Sequence, residues 1–291
     1  MKAGQIILDL TFLTAGLPGL LHALDLRVNT LHVWNDYTEG ADSGMQARLD
    51  GREPFLWTDE VPGRASGLQH GKILIGPLAG HGIRPVPNGL IHDWIGAVFI
   101  PHASIRSLLA VLHDYDRYKD VYKPAVAESK ALACTEADQR FSMVWQHKVL
   151  FVSAAIEGQY SAREFIAGQT RGYNIGDTTE VREIQAYGES GEHLLAPGHG
   201  SGFIWRMHSI ARYEERDGGV YLELEAIALT RDIPLSLRWL VSPVVNHLSI
   251  DSLTTSLRQT REAVESLEEE PGRFVSCAAP EEHSLHAGRA R

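Results

Sequence analysis

The sequence predicts an α+β fold, an antiparallel β-sheet packed on a long C-terminal α-helix and preceded by an N-terminal helical and loop extension. Three observations predict it. Residues 126–231 divide into successive runs rich in β-branched and aromatic side chains, separated by Gly, Asp and Glu. Short connections of this kind join antiparallel neighbours, because parallel pairing needs a long crossover. After Pro243 the period becomes helical: Ile250, Leu253, Leu257, Thr260, Val264 and Leu267 form one stripe, with Arg258, Glu262, Glu265 and Glu269 opposite it. Before the strand-rich stretch, a run of alternating apolar residues leads through Pro101 into an amphipathic helix.

Taken in order, the first 26 residues carry Lys2 and an apolar run from Ile6 to Leu26, which suggests the start of an export signal. Asp9 interrupts that run, Gly16-Leu17-Pro18-Gly19 breaks it, and no small-x-small cleavage site follows before Asp25. The segment 1–28 therefore reads either as a degenerate signal or as a loosely packed leader, which leaves a cytoplasmic and an exported location both open. Asp9 and Asp25 also prevent a spanning helix, so no stable membrane insertion is expected. Residues 29–90 form an extension. Thr30 to Leu49 suits a polar helix with Trp34, Tyr37, Met45 and Leu49 as its apolar contacts. Gly51 to Leu90 is rich in Gly and Pro and favours loops with short extended pieces such as Lys72–Ile75. Too few periodic apolar residues are present for a separate core, so the extension should pack on a larger domain.

That domain is expected over residues 91–270. In His92–Ile100, Asp93, Ile95, Ala97 and Phe99 alternate with Trp94, Gly96, Val98 and Ile100, the pattern of a strand buried on both faces. Ser104 can cap a helix whose stripe is Ile105, Leu108, Leu109 and Leu112, and a short helix ending before Pro124 follows. The strands are expected at 126–133, 140–147, 149–160, 171–173, 178–187, 202–213 and 220–230. Residues 271–291 show no apolar period and read as a disordered tail.

Asp217-Gly218 between two strand-like runs predicts a two-residue hairpin turn that pairs residues whose numbers sum to 435. One face then carries Trp205, Met207, Ser209, Ala211 and Tyr213 against Leu222, Leu224, Ala226, Ala228 and Thr230. The other carries Arg206, His208, Ile210 and Arg212 against Glu223, Glu225, Ile227 and Leu229. Its opposed charges suit a solvated surface. The first face is apolar but small at Ser209, Ala211, Ala226 and Ala228, which leaves room for a closely packed helix or for a ligand.

Three stretches, His92–Pro101, Leu109–Pro124 and Gly219–Pro234, together with the element order strand, helix, short helix, long antiparallel sheet and long helix, resemble the START-like or SRPBCC superfamily. Its helix-grip fold is shared by lipid-transfer domains, pollen-allergen-like proteins and polyketide cyclases. The resemblance covers about residues 91–268 and implies a curved sheet gripping the C-terminal helix around an apolar cavity. Residues 29–90 resemble the segment that leads into this domain in uncharacterised bacterial proteins of this kind, often preceded by an export signal.

Lys and Arg number 27 against 37 Asp and Glu, a net charge of 27 − 37 = −10, and no window is rich in basic residues. A phosphate backbone needs local positive charge, so nucleic acid is not an expected partner. The histidines show no zincin spacing, and no metal or other cofactor is expected. Gly198–Gly202 lacks the strand–turn–helix context of a hydrolase elbow, and Gly80-His81-Gly82 lacks the dinucleotide-binding frame. The two cysteines, Cys134 and Cys277, show no framework of bridges. The expected partner is an apolar small molecule, a lipid, isoprenoid or polyketide-like compound. Trp205, Met207, Ser209, Leu224, Ala226, Ala228 and Thr230 would line the sheet wall of its site, and Leu253, Leu257 and Thr260 the helix wall. A cyclase would instead need inward polar groups, for which Arg163, Glu157, Tyr173, Ser209 and Thr230 are candidates. A third alternative is a structural module whose cavity is filled and covered by the extension.

Overall fold

The computed structural model describes residues 26, 28–78, 82–135, 139–149, 152–201, 203–232 and 235–269. The leader and the C-terminal tail therefore lie almost wholly outside the described residues.

The strands are β1 Leu74–Pro77, β2 Ile83–Val86, β3 Gly89–Pro101, β4 Val126–Cys134, β5 Gln139–Val149, β6 Val152–Ile166, β7 Arg171–Gln185, β8 His193–Leu194, β9 Arg206–Arg216 and β10 Gly219–Arg231. The helices are α1 Val28–Leu49, α2 Arg64–Gln69, α3 Ile105–Leu112, α4 Tyr118–Val121 and α5 Leu235–Glu269, with single 3-10 turns at Trp57–Glu60 and Tyr115–Arg117. All strands join one antiparallel sheet in the order β1-β3-β10-β9-β7-β6-β5-β4, with β2 beside β3 and β8 beside β7. The first strand of the main sequence pattern, β3, thus pairs with the last, β10, along its whole length from Gly89 opposite Arg231 to Pro101 opposite Gly219.

The hairpin forms as its turn chemistry dictates. Asp217 and Gly218 both have positive φ, 57° and 77°. These values suit the right-handed twist of the flanking strands, and every β9–β10 pair from Arg216–Gly219 to Arg206–Leu229 sums to 435. At α3, Ser104 caps the helix: its hydroxyl accepts from the Ser107 amide and the Ser107 hydroxyl accepts from the Ser104 amide.

Some boundaries differ from the sequence reading. The pieces expected at 171–173 and 178–187 are one strand, β7, whose register with β6 shifts by a bulge between Gln159 and Tyr160. Gly176 and Asp177 suggest a break, yet pairing on both sides carries the strand through them. Helix α5 begins before Pro243 rather than after it, because a proline weakens an interior turn without forbidding passage. Cys134 is disulfide-bonded, which corrects the reading of two unbridged cysteines. Bridging is a matter of distance in space, which sequence spacing does not fix.

The sheet has two differently covered faces. On one, Trp94, Val98, Ile100, Tyr213, Val220 and Leu222 pack with α3 residues Leu108 and Val111 and α5 residues Leu253, Leu257 and Val264. Helix α5 lies so close to β3 that a Cβ on Gly96 would come within 2.6 Å of Leu257 Cδ1. On the other face, Ile95, Ala97, Phe99, Tyr173, Ile175, Ile210 and Tyr221 are roofed by Met45, Leu56, Trp57 and Leu68. The extension is therefore the roof of the outer face, and through β1 and β2 it also borders β3. Its Ile73 and Ile75 pack beside Leu253 and Leu257 at the edge of the inner face, and none of its described residues lines the space between the sheet and α5. No described helix is long and apolar enough to cross a membrane.

The outer face corrects the expectation of a solvated surface. Arg212, Glu223, Glu225 and His208 are 2%, 0%, 6% and 1% exposed. Arg212 Nε lies 3.3 Å from Glu223 and its Nη2 donates to Glu225 at 2.9 Å. Glu223 also accepts from the Trp57 and Thr58 amides, at 2.9 and 2.7 Å, and from the Thr58 hydroxyl at 2.7 Å. Opposed charges on a strand pair are compatible with water or with burial, provided every lone pair and N–H finds a partner. Here the extension supplies partners to Glu223 and excludes the water, while His208 Nε2 and Asp42 Oδ1 face each other 3.3 Å apart without a hydrogen bond.

Candidate functional site

A cavity of ≈ 390 Å³ lies between the inner face of the sheet and α5. That volume suits a small apolar molecule. The small side chains on β9 and β10 create it. Ser209, Ala211, Ala226 and Ala228 occupy inward positions, where larger residues would close the space against Leu253 and Leu257. Along β10, the inward Leu224, Ala226, Ala228 and Thr230 are only half-buried, whereas the outward Glu225, Ile227 and Leu229 between them are buried. The inner face is the emptier one.

Of the ten residues named from the sequence, nine border this cavity: Met207, Ser209, Leu224, Ala226, Ala228 and Thr230 from the sheet, and Leu253, Leu257 and Thr260 from α5. Trp205 does not. It packs on the outer side with Trp34, Ile91, Ile227 and Leu229, 3% exposed. Regular β9 pairing starts only at Arg206, so the alternation that fixes Met207 inward does not extend to the residue before it. Of the cyclase candidates, Ser209 and Thr230 reach the cavity. Arg163 is exposed and pairs with Asp177 at 3.6 Å, Tyr173 packs under the extension, and Glu157 is half-buried away from the cavity wall.

The opposite wall, which sequence reasoning missed, is aromatic. Phe141 stacks on Tyr115 and on Tyr160, with centroids 4.1 and 4.9 Å apart, and Tyr118 meets Phe141 edge-on at 5.7 Å. Tyr118 opens α4 and Tyr122 follows its last residue, Tyr115 comes from the 3-10 turn, and Phe141 and Tyr160 from β5 and β6. Their periodicity within each element was visible, but convergence from elements some 20 residues apart is a tertiary fact. Burial pushes the phenols of Tyr115, Tyr118, Tyr122 and Tyr160 up, so they stay neutral. Each hydroxyl already has a partner. Tyr115 donates to Gln139 at 2.8 Å, Tyr118 to the Leu112 carbonyl, Tyr122 meets Thr260 at 3.0 Å, and Tyr160 accepts from Trp145 Nε1 at 2.8 Å.

Among the described lining residues there is no Asp, Glu, Lys or Arg. The one imidazole is His92 on β3, 4% exposed, whose burial pulls its pKa down to about 4 and keeps it uncharged. No group of three His, Cys, Asp or Glu able to hold a metal occurs among the described residues. The arrangement can hold a neutral, largely apolar molecule against aromatic and aliphatic walls.

No family model matches the chain, and no curated protein matches it. Solved structures do resemble it in arrangement. A STAR-related lipid transfer protein from Xanthomonas axonopodis is 18% identical with a TM-score of 0.42, over 63% of this chain and 99% of that one. The Zhui aromatase/cyclase from a Streptomyces species is 14% identical with a TM-score of 0.40, over 62% and 98%. A START superfamily protein from Mycobacterium smegmatis is 9% identical with a TM-score of 0.38, over 61% and 98%.

Proposed function

We propose that this chain binds an uncharged, predominantly apolar small molecule, a lipid, isoprenoid or polyketide-like compound, between the sheet and α5. The observation that carries the reading is a ≈ 390 Å³ cavity whose described walls hold no formal charge. Apolar burial would drive binding, at about 25 cal/mol per Å² of ligand surface removed from water, with ordering costs offsetting part of it. Residues 91–270 would form the binding domain, and the extension would roof the outer face without entering the site. Its contacts with the sheet through Met45, Leu56 and Trp57 support that division of labour.

Native mass spectrometry of the purified full chain, with organic extraction, tests this. A co-purified apolar compound displaced by an excess of octylphenol is the expected result. Absence of any bound compound, together with no uptake of apolar dyes or alkylphenols, would overturn it.

A further inference from the structure

The polar atoms around the cavity differ in whether the protein itself satisfies them. Most lining hydroxyls are partnered, but two buried nitrogens on β3, His92 Nδ1 and Trp94 Nε1, find no hydrogen-bond partner. The Trp94 nitrogen is turned toward Gly82, where an added Cβ would sit 2.7 Å from it. His92 faces the cavity, two residues from Trp94 and in register with Ala228.

Its protonation pattern follows from its one bond. His92 Nε2 lies 3.0 Å from Thr230 Oγ1, and that hydroxyl donates to the Arg231 carbonyl at 3.3 Å. A hydroxyl already donating offers its lone pair to the ring, so Nε2 carries the hydrogen and Nδ1 is a bare acceptor. On β10 the inward residues beside it, Ala226 and Ala228, are small and apolar and offer the ring no donor; the nitrogen is screened from solvent, so a ligand group reaches it by a small shift of the ring. A buried acceptor without a donor is costly, and a ligand that brings one recovers that cost.

We propose that His92 Nδ1 is the polar anchor of the cavity, and that the ligand is an apolar molecule bearing a hydroxyl donor, an alcohol or phenol, at the Thr230 end. A carboxylate is disfavoured there because its oxygens would face the same lone pair. The proposal rests on the binding reading above, and the test separates the two.

The full chain is titrated with 4-octylphenol, with 4-octylanisole, which lacks the donor, and with dodecanoate, whose charged head has none. The phenol should bind about tenfold tighter than the anisole, and dodecanoate should bind more weakly than the phenol. His92→Phe should remove the phenol preference, read as the phenol-to-anisole affinity ratio falling from about tenfold to about one, whatever the change in anisole affinity itself. Thr230→Val should reduce the preference by freeing the tautomer. Nitrogen-15 spectra of the imidazole should show Nδ1 unprotonated, and this readout holds even if His92→Phe fails to fold. Equal binding of phenol and anisole, a preference that survives His92→Phe, or a protonated Nδ1 would overturn the anchor while leaving the cavity reading intact. No binding of any of the three probes would overturn both.

Discussion

His208 gives a direct measure of how the extension is held to the sheet. The ring is 1% exposed and sits between two carboxylates, Asp177 of β7 at 2.7 Å from Nδ1 and Asp42 of α1 at 3.3 Å from Nε2. Arg163 of β6 approaches Asp177 from the solvent side at 3.6 Å, and Asp93 of β3 feels the charge of His208. Burial alone would lower the histidine pKa, but the hydrogen bond with Asp177 and the charges of Asp177 and Asp42 outweigh it and push it up to about 9. Moving from 6.5 to about 9 corresponds to about 3 kcal/mol of folded-state stability. Because the folded value is raised, that contribution is complete below pH 6.5 and is lost as the pH rises through 9. Urea unfolding at pH 6.5 and 9.5 should show most of this loss in the wild type. His208→Gln should lack it, and Asp42→Asn should show a smaller slope. An identical pH dependence in wild type and His208→Gln would refute the reasoning, because the charge of this ring would then contribute nothing to holding α1.

Glu223 is wholly buried and accepts from Trp57, Thr58 and Arg212, so Glu223→Ala should cost about 3–5 kcal/mol in denaturant unfolding by leaving buried donors unpaired. Gly96→Ala places a Cβ within 2.6 Å of both Ile75 and Leu257 and should lower stability by about 1–3 kcal/mol, read as a lower thermal midpoint. Ala226→Phe fills the inner face and should weaken octylphenol binding at least tenfold, an on-order estimate from losing the space the ring must occupy. Trp205→Ala, on the outer face, should cost about 3–5 kcal/mol in stability yet leave octylphenol affinity unchanged; a matching loss of affinity would return Trp205 to the cavity wall.

The hairpin was the most legible part of the chain. Its Asp-Gly turn set the register, and the register set the inward positions from Met207 to Ser209 and from Leu222 to Thr230. Alternation settles parity only inside a ladder, so the reading failed at Trp205, one residue before pairing begins. The helix stripe Leu253, Leu257 and Thr260 was equally legible because its spacing admits one buried face. The aromatic wall was not, since Tyr115, Phe141 and Tyr160 meet across separate elements. His92 also escaped notice, because a single histidine in an apolar strand gives no sign of which of its nitrogens will be left unpaired.

The sequence by itself determined the kinds of element, the antiparallel pairing of β9 with β10 and the small inward residues that make a cavity, all consequences of local periodicity and turn chemistry. Only the tertiary structure decided what each face meets. The same Arg212, Glu223 and Glu225 would suit open solvent, but α1 and the Trp57 turn close over them and turn a charged surface into a buried, hydrogen-bonded joint. Periodicity tells a residue which way to point, and the partner waiting there comes from distant chain whose approach is fixed only when the whole molecule packs.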